Sequence, residues 1–498
     1  MGAASILESR AIEEAAFANG WTEEQLLNTA GEALGHAIGR YFPEASMIVA
    51  YLGKGHNAGD ALVALRVLRD HYDWKIATRN AYPLHEMAPL TLKKWDELGL
   101  SRPLDRMPQR GALDRPLLLL DGLLGSGSTG HLRAPLVALA AEIESLRQKS
   151  GARVAAVDFP SGIDPDSGEV FPDTVIADVT FMIGNAKIGL LHAQAANATG
   201  SLVLVPVEPL THRSSSHLEL ISPQTLDHGK SPRAFDFHKG MAGRVAVVAG
   251  STDYTGAAVL AASGALRGGA GLVTLFVPQS VRNTISCKCP PEIIVRAYQT
   301  NQDILESQFD ALVVGCGLGE MDDATAQGIL DLISQTSSPA VIDADALNVV
   351  ARMSRCEIFK ENQVITPHPG EFARLAPDLA KLPREAAARQ FADRISATLL
   401  LKGCRTIVTQ RGQSLWCNST GSPGMATGGQ GDVLAGVIGA KLAIKESPMD
   451  AARMGAWLSG RSAEIALNET QVSEESLLPT DVLRFLGSAF RDWKTTSR

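Results

Sequence analysis

The sequence predicts an α/β protein with two domains, each built on a mostly parallel sheet. Apolar strand-like runs alternate with helical patterns of roughly 10–15 residues along most of the chain. At 498 residues the chain is too long for one ordinary core. Residues 208–236 are rich in Pro, Ser and His and lack periodicity, which is typical of a domain junction. We therefore expect domains at 1–210 and 237–498, joined by a linker at 211–236.

Composition narrows the class of function. Hydrophobic residues make up 45% and charged residues 20%, as in globular proteins. A net charge of −8 without a basic tract disfavours nucleic acid and anionic membrane surfaces as partners. No run of 18 apolar residues predicts a membrane span, and the acidic segment 1–17 does not resemble a signal peptide. The six cysteines lack zinc-type spacing. We expect a cytoplasmic protein with a small-molecule substrate.

The N-terminal half has the pattern of a doubly wound sheet. Residues 5–18 and 22–40 have amphipathic helical spacing, and Thr22 suits a helix N-cap. Ligands of such sheets bind beyond the carboxyl ends of the strands, so the loops there are the candidate site. Strands are expected at Met47–Leu52, Trp74–Ala77, Leu117–Asp121, Val154–Asp158, Val179–Phe181 and Leu202–Val205.

Three polar loops follow the first, third and fourth of these strands: Gly53–Asp60 (GKGHNAGD), Asp121–Gly130 (DGLLGSGSTG) and Asp158–Asp164 (DFPSGID). Their glycines allow close backbone approach to a ligand. Asn57, Asp121 and Ser161 offer hard oxygen ligands for a cation, which leaves Asp158 as a candidate acid or base. Each acid alone is more often a helix cap or turn residue. Three such loops on nearby strand ends favour a site.

In order and spacing the three loops resemble the NAD(P)H-hydrate epimerase domain. The resemblance covers residues 1–210 and implies a Rossmann-like fold with K⁺ bound at Asn57, Asp121 and Ser161. It implies that Asp158 is the acid/base that interconverts the R and S epimers at C6 of the hydrated nicotinamide ring. It also implies that the following residues contact NAD(P)HX, the hydrated cofactor: His56, Asn57, Ala58, Gly59, Asp60, Gly125, Ser126, Gly127, Ser128, Thr129, Gly130, His131 and Asp158.

Some residues depart from the family's pattern N-N-G-G-D-G. Here His56, Ala58 and Ala61 stand where the pattern has Asn and two glycines. A β-carbon at Ala58 or Ala61 would crowd a close backbone approach or oppose a positive φ. We expect the epimerase to remain active, with its rate or preference open to change. Lys187 lies in Thr180–Leu190 (TFMIGNAKIGL), which resembles the family's T-F-x-x-x-K-x-G-L stretch with two more residues before the lysine, and it has no assigned role.

The C-terminal half predicts a second α/β domain. A helix of small residues is expected over 256–267, where small side chains allow tight packing on a sheet. The last two expected strands form a hairpin or flap beside a nucleotide site. Strands are expected at Arg244–Ala249, Leu272–Val277, Ile293–Arg296, Ala311–Gly315, Ala340–Asp343, Gln363–Thr366, Thr398–Leu401, Thr406–Gln410 and Gln413–Cys417.

The stretch Ser422–Gly436 (SPGMATGGQGDVLAG) carries the strongest chemical signal. Its glycines let backbone N–H groups approach an anion, and a helix beginning near Gly431 adds the positive end of its dipole. Asp432 places a carboxylate at the edge of this cradle. On its own the stretch is as well explained by a glycine-rich turn before a buried helix.

Four further segments at strand ends accompany it: Gly315–Gly319 (GCGLG), Asp343–Asn348 (DADALN), Thr366–Glu371 (TPHPGE) and Lys402–Thr406 (KGCRT). Two prolines hold His368 rigidly, which suits substrate contact or a turn cap. Asp343 and Asp345 are acid candidates, although an Asp at a strand end often only caps a helix.

With HKG at 238–240 and Y-x-G-A at 254–257, these segments resemble the ADP- or ATP-dependent NAD(P)H-hydrate dehydratase, a ribokinase-like enzyme. The resemblance covers 237–498. It implies that Asp432 is the general base, that Mg²⁺ assists, and that NAD(P)HX contacts Ala257, Gly317, His368 and Asp432. It implies that ADP is held by Lys402, Gly403, Cys404, Arg405, Thr406, Ser422, Pro423, Gly424, Met425, Ala426, Thr427, Gly428, Gly429, Gln430 and Gly431.

Together the two resemblances predict a bifunctional enzyme that repairs hydrated NAD(P)H, assembled as a homo-oligomer. The N-terminal part would epimerise NAD(P)HX. The C-terminal part would dehydrate the S epimer while ADP, or ATP, is consumed. The alternative is a ribokinase-superfamily kinase of a small molecule, with a degenerate nucleotide-binding N-terminal domain, because one fold and one glycine-rich stretch serve both chemistries.

Overall fold

The structure is a computed structural model that describes residues 2–107, 117–125, 127, 130–211, 217–226 and 233–495. It divides into two compact units, Met1–Leu220 and Ile221–Arg498. Within the described ranges, no helix is both long and apolar enough to cross a bilayer.

The N-terminal unit alternates helices with parallel strands. Its sheet has the order β2-β1-β3-β4-β5-β6, and all its neighbours are parallel. The helices are α1 (Ile6–Ala18), α2 (Glu23–Tyr41), α3 (His56–Tyr72), α4 (Pro89–Leu98), α5 (Leu136–Ser150) and α6 (Ala196–Thr199). The strands are β1 (Met47–Leu52), β2 (Lys75–Asn80), β3 (Leu117–Gly122), β4 (Arg153–Val157), β5 (Val179–Ile183) and β6 (Ser201–Val205); β7 (Leu218–Ile221) follows them.

Alternating side chains of this sheet supply two cores. In β1, Ile48, Ala50 and Leu52 join the core formed with α2, α3 and α4, whereas Val49 and Tyr51 join the core on the α5 side. This follows because successive strand side chains point to opposite faces. The expected doubly wound sheet is therefore confirmed, and the carboxyl ends of β1, β3 and β4 are brought to one edge.

The C-terminal unit is a larger α/β layer structure. The strands are β8 (Arg244–Val248), β9 (Leu272–Pro278), β10 (Ile293–Tyr298), β11 (Ala311–Val314), β12 (Ala340–Ile342), β13 (Gln363–Ile365), β14 (Thr398–Leu401), β15 (Ile407–Thr409) and β16 (Leu415–Asn418). The helices are α7 (Thr255–Arg267), α8 (Arg282–Lys288), α9 (Asn301–Leu305), α10 (Asp323–Gln335), α11 (Ala344–Arg352), α12 (Pro369–Leu375), α13 (Arg384–Ala392), α14 (Gln430–Ala443), α15 (Pro448–Glu469) and α16 (Pro479–Thr495).

Its sheet has the order β10-β9-β8-β11-β12-β13-β14-β15-β16-β7. The strands from β10 to β14 are parallel, and β14, β15 and β16 are antiparallel, so the expected hairpin is confirmed. Helices α7 and α14 pack closely: a β-carbon on Gly264 would lie within van der Waals radii of the Val433 carbonyl oxygen, and one on Gly436 would meet Ala261. Small residues thus fix α14, whose first turn carries Asp432.

Two expectations differ from the structure. The second strand was expected at Trp74–Ala77 but runs over Lys75–Asn80, because its parallel backbone pairing with β1 continues as far as Asn80. The Arg79 side chain in this extension bonds to Glu142 at 3.1 and 3.2 Å. The stretch expected to be a linker contains β7, whose Leu220 and Ile221 are fully buried.

Candidate active sites

The first candidate site is a cleft of about 610 Å³ in the N-terminal unit. The loops after β1, β3 and β4 line it, together with α1 and α2. His56, Asn57, Asp60, Gly125 and Gly127 line this cleft, as does Asp158. Residues from four distant parts of the sequence therefore meet at the carboxyl edge of the sheet, as expected for this architecture.

Asp158 is held in one orientation by short contacts. Its backbone adopts φ +65°, a left-handed conformation that is costly for a non-glycine residue and clusters at functional sites. Its Oδ1 accepts a hydrogen bond of 2.6 Å from Lys187 Nζ and one of 3.0 Å from the Ile183 N–H. Lys187 Nζ also donates to the carbonyl oxygens of Ile183 and Asn185. Lys187, which the sequence left without a role, is thus the ion-pair partner of the candidate acid/base.

Two of the three proposed K⁺ ligands bond to the main chain of Leu124, and the second of them bonds to the third. Asn57 Nδ2 donates to the Leu124 carbonyl oxygen at 2.7 Å, and the Leu124 N–H donates to Ser161 Oγ at 3.0 Å. Ser161 Oγ donates to Asp121 Oδ1 at 2.8 Å, and the Ser161 N–H donates to Asp121 Oδ2 at 2.7 Å. Burial raises the pKa of the Asp121 carboxyl, although these bonds oppose the shift. A buried carboxylate with amide and hydroxyl oxygens beside it is a donor set that fits K⁺.

Several residues of the expected substrate set lie elsewhere. Ala58 and Gly59 are buried within α3 and are not among the residues that line the cleft, although a β-carbon on Gly59 would meet Leu27, which does line it. The His131 ring packs on Phe171 with a centroid distance of 4.9 Å. Gly130 has φ +90°. Ser126, Ser128 and Thr129 lie outside the described residues.

The departures at 58 and 61 are accommodated within α3. The helix begins at His56, so Ala58 and Ala61 carry helical backbone and no positive φ is required of them. Both are fully buried. The β-carbon of Ala61 fits because residue 122 is glycine, where an added β-carbon would lie 3.1 Å from it. His56 turns to α2, where its Nε2 lies 2.9 Å from Glu23 Oε1.

Helix α1 brings an acid to the cleft that the sequence did not single out. Glu13 lines the cleft, and burial raises its pKa, as does the nearby Asp158 carboxylate, although Lys187 opposes the shift. Burial, with Asp158 and Glu13, also raises the pKa of Asp60 well above its usual value. Glu13 has no recognisable sequence signal because α1 reads as an ordinary amphipathic helix far from the loops.

The second candidate site lies at the start of α14 in the C-terminal unit. Gly429 caps the helix with φ +97°. The first N–H groups of a helix have no intrahelical acceptor, and those of Gly428, Gly429 and Gly431 find none elsewhere among the described residues. Both polar atoms of the Gln430 side chain are buried without a partner in the same described set. These donors form a cradle that fits an anion.

Asp432 lies in the first turn of α14, deep in this site. One ligand atom each from Asp432, Asp343 and Cys316 lie within 4.8 Å of one another. Burial raises the pKa of Asp432 to about 7, and the Asp343 carboxylate adds to the shift, while Cys316 and Lys402 oppose it. A carboxyl with that pKa suits a general base near neutral pH. Cys316, fully buried beside it, was not predicted, because a cysteine within a GCGLG loop is easily taken for packing.

Lys402 brings a buried cation to the cradle. Its Nζ lies 2.7 Å from Asp343 Oδ1 and 3.9 Å from Glu371 Oε2. A β-carbon on Gly431 would lie only 3.2 Å from that Nζ. Asp343 and Glu371 raise the pKa of Lys402 against the effect of burial. Lys402 is therefore a permanent positive charge beside the backbone of the glycine cradle.

The residues expected to hold NAD(P)HX in this unit fall into two places. Gly317 and Ala257 meet, since a β-carbon on Gly317 would lie 2.6 Å from that of Ala257. His368 caps α12: its Nδ1 accepts from the Gly370 N–H at 3.0 Å, and its own N–H donates to Glu371 Oε2 at 2.7 Å. Half of the His368 side chain is exposed. Both readings of His368, cap and contact residue, are thus compatible with its geometry.

The expected nucleotide residues form two loops. Ser422 Oγ donates to Glu474 Oε1 at 2.8 Å and accepts from the Gly424 N–H. The loop Lys402–Thr406 joins β14 to β15, with Gly403 at φ +136° and Arg405 at φ +52°. The Thr406 hydroxyl donates to the Gly403 carbonyl oxygen at 2.9 Å. Cys404 is exposed on this loop.

Comparison with known proteins agrees with both halves. A family model described as NAD(P)H-hydrate dehydratase matches residues 245–486, and one described as the YjeF-related protein N-terminus matches residues 23–189. A solved ribokinase-like superfamily protein from Enterococcus faecalis V583 is 26% identical with a TM-score of 0.50, and the match covers 57% of this chain and 98% of that one. The expected ribokinase-like fold of the C-terminal unit is confirmed.

Two curated relatives named bifunctional NAD(P)H-hydrate repair enzyme Nnr match almost end to end. The one from Gloeobacter violaceus is 33% identical, covering 94% of this chain and 95% of the relative. The one from Coxiella burnetii is 33% identical, covering 96% and 97%. A match over both halves disfavours the alternative of a small-molecule kinase with a degenerate N-terminal domain. The chain belongs to the family of bifunctional NAD(P)H-hydrate repair enzymes.

Proposed function

We propose that the N-terminal unit interconverts the R and S epimers of NAD(P)HX at C6 and that the C-terminal unit dehydrates the S epimer with consumption of ADP. The observation that carries this proposal is the placement of Asp432. A carboxyl with a pKa of about 7 lies at the edge of the backbone N–H cradle, with the Lys402 ammonium beside Gly431 of that cradle. That arrangement suits proton removal from a hydroxyl beside a phosphate.

The dehydration needs a better leaving group than hydroxide. Asp432 accepts the proton of the C6 hydroxyl while that oxygen forms a bond to the β-phosphorus of ADP, and the bond from that phosphorus to AMP breaks. Phosphate then leaves C6 together with a proton from C5, which restores the C5–C6 double bond. The N–H groups of Gly428, Gly429 and Gly431 and the Lys402 ammonium stabilise the phosphoryl charge.

The remaining expected residues have supporting roles. The loops 402–406 and 422–431 hold the nucleotide, whereas Ala257, Gly317 and His368 hold NAD(P)HX. Bound Mg²⁺ supplies charge neutralisation at the phosphates. It usually binds through phosphates, water and one or two carboxylates. Glu371, a buried carboxylate 3.9 Å from Lys402, fits that role through water.

In the N-terminal unit Asp158 is the acid/base, and Lys187 positions the carboxylate oxygen that exchanges the proton. Inversion at C6 requires a bond to that carbon to break and re-form. Asp158 gives a proton to the hydroxyl oxygen as the C6–O bond breaks and water departs, and it takes a proton from the water that adds to the opposite face. Asn57, Asp121 and Ser161 hold K⁺, which supplies a fixed positive charge beside the substrate loops. The substrate contacts come from 56–60 and 125–131 together with Asp158.

The test uses the full chain, a mixture of NADHX epimers, and each nucleotide in turn. We expect the absorbance of NADH to recover completely with ADP, and more slowly or not at all without nucleotide. Recovery that stops once the S epimer is spent would remove the epimerase, provided that spontaneous epimerisation is slow under the same conditions. A stable phosphate ester made from a vitamin alcohol, with no NADH recovered, would overturn the dehydratase.

Location in the cytoplasm and assembly as a homo-oligomer complete the proposal. All six cysteines carry free thiols, which supports a reducing compartment. Light scattering coupled to size-exclusion chromatography measures the assembly, and a mass equal to one chain would contradict the oligomer.

A further inference from the structure

One arginine organises the loop that the proposed function gives to the nucleotide. The guanidinium of Arg384, at the start of α13, donates to three backbone carbonyl oxygens of that loop and its approach. Nη2 donates to Leu401 at 3.2 Å and to Lys402 at 3.1 Å, and Nη1 donates to Cys404. No motif in the sequence marked this residue.

The contact also depends on the glycine between these carbonyls. A β-carbon on Gly403 would lie 3.0 Å from Arg384 Nη2, so the guanidinium lies against the bare α-carbon. Gly403 has φ +136°, which L side chains rarely adopt. A side chain at 403 is therefore opposed twice, by the backbone conformation and by Arg384.

Fixing the carbonyl groups also fixes the N–H groups. In a trans peptide the C=O of one residue and the N–H of the next point in opposite directions. The Lys402 carbonyl bonded to Arg384 thus turns the Gly403 N–H away from the guanidinium. That N–H has no acceptor among the described residues. Gly403 is exposed, so this N–H is a donor that an incoming ligand can reach.

Lys402 is consequently held at both ends. Arg384 anchors its carbonyl, its N–H donates to the Pro367 carbonyl oxygen at 2.9 Å, and Asp343 anchors its ammonium at 2.7 Å. The cation beside Gly431 can be displaced only if one of these anchors yields. Preorganised donors and charges cost no rearrangement when the ligand binds.

We infer that Arg384 is a positioning residue for the nucleotide: it shapes the 402–406 loop so that the Gly403 N–H and the Lys402 ammonium meet the phosphates of a nucleoside diphosphate. This rests on the proposed dehydratase function. Arg384 acts through the loop and does not touch the reacting atoms. Its loss lowers nucleotide affinity more than it lowers the rate of chemistry.

The test compares Arg384→Gln, Arg384→Lys and Arg384→Ala with the unaltered full chain. We expect the KM for ADP to rise about 10- to 100-fold in Arg384→Gln, because charge-assisted bonds are lost, with a smaller change in kcat and in the KM for NADHX. Arg384→Lys keeps the positive charge but not the planar fork of donors, so we expect its KM for ADP to lie between those of the unaltered chain and Arg384→Gln. Millimolar guanidinium recovers part of the ADP affinity of Arg384→Ala.

Arg389→Met is the matched control, because Arg389 lies in the same helix and is half-buried. It leaves the KM for ADP unchanged. Thermal melting of the C-terminal unit, followed by circular dichroism on each variant, reports whether the unit that carries the substitution is folded. Binding of ADP is also measured directly by calorimetry, which does not require turnover.

An ADP affinity in Arg384→Gln equal to that of the unaltered chain overturns the inference and leaves the dehydratase intact. Equal losses in Arg384→Gln and Arg389→Met overturn it as well, since that result indicates general damage. Failure of the unaltered chain to bind ADP at all overturns both the inference and the proposed function.

Discussion

The two candidate sites place a carboxylate at the edge of a parallel sheet in opposite ways. Asp158 has a cation on its own oxygen, with Lys187 Nζ 2.6 Å away. Asp432 has no such direct partner in the part of the chain that the structure describes, because the nearby Lys402 bonds to Asp343 instead. The pKa of Asp432 consequently rises to about 7, since burial and the Asp343 carboxylate outweigh the distant ammonium. A neighbouring lysine thus holds the Asp158 carboxylate in one orientation, whereas among the described residues no lysine bonds directly to Asp432.

The largest effect is expected from removal of Asp432, the acid that has no lysine bonded directly to it within the described ranges. In Asp432→Asn we expect dehydration to fall by about 10²- to 10⁴-fold, the usual value of a general base. Epimerisation by the same chain stays normal. Single-turnover recovery of NADH measures the loss. Asp323→Asn is the control, since Asp323 is an acid in the first turn of α10 with an 88% exposed side chain. Near-normal dehydration in Asp432→Asn would remove Asp432 from the mechanism.

The paired acid is tested by removing its cation. Lys187→Met leaves Asp158 buried and uncompensated near Asp60 and Glu13, and breaking such a pair costs about 3–5 kcal/mol. We expect the N-terminal unit to unfold at a lower temperature and epimerisation to decline. Lys93→Met is the matched control, because Lys93 bonds to Glu24 at 2.7 Å on the surface. If both variants melt alike, burial of the 187–158 pair has no special value.

The raised pKa of Asp432 also has a consequence for the stability of the C-terminal unit. A carboxyl whose pKa is raised by folding destabilises the fold as pH rises above its unfolded value. Asp432→Asn removes that cost, so we expect the C-terminal unit to gain about 1–4 kcal/mol at pH 8. The gain builds up between about pH 4 and pH 7 and vanishes below pH 4. Melting curves across that range measure it, and an equal gain at pH 4 would point to a cause other than titration.

The smallest effect is the pH profile of the dehydratase. Asp432 must be deprotonated to act, so kcat/KM should rise with pH and level off above about 7, the pKa of the carboxyl. Below that the rate falls by about tenfold per pH unit. Initial rates with saturating ADP measure the profile. A flat profile from pH 5.5 to pH 8 would contradict the assignment of Asp432 as the base.

The sequence was sufficient to predict features that depend on neighbouring residues, such as strands and the loops that follow them. Strand β1 was predicted at its observed bounds, and the glycine-rich loops were placed at the strand ends, since their residue types and order carry the information. Partners remote in sequence were not reachable. Lys187 bonds to Asp158, which lies 29 residues earlier in the sequence. Arg384, at the start of α13, bonds to the loop 402–406. Lys187 lies in a recognisable stretch and Arg384 does not, but the role of either residue is defined only once the chain has folded.

The departures at 58 and 61 illustrate the same limit. Two concerns arose at these positions: that a β-carbon would crowd a close backbone approach, and that it would oppose a positive φ. The second does not apply. Helix α3 begins early enough to give both alanines helical backbone. Whether a methyl group fits at position 61, in α3, depends on residue 122, which lies at the end of β3. The sequence shows that alanine stands at position 61, but only the structure shows that there is room for its methyl group.

That shared space has an evolutionary consequence. Ala61 and Gly122 divide between them room for one methyl group, since a β-carbon on Gly122 would lie 3.1 Å from that of Ala61 and 3.3 Å from the Tyr51 carbonyl oxygen. Glycine at 61 removes the closer of these two contacts, whereas alanine at both positions leaves both of them in place. The two positions should therefore covary across relatives.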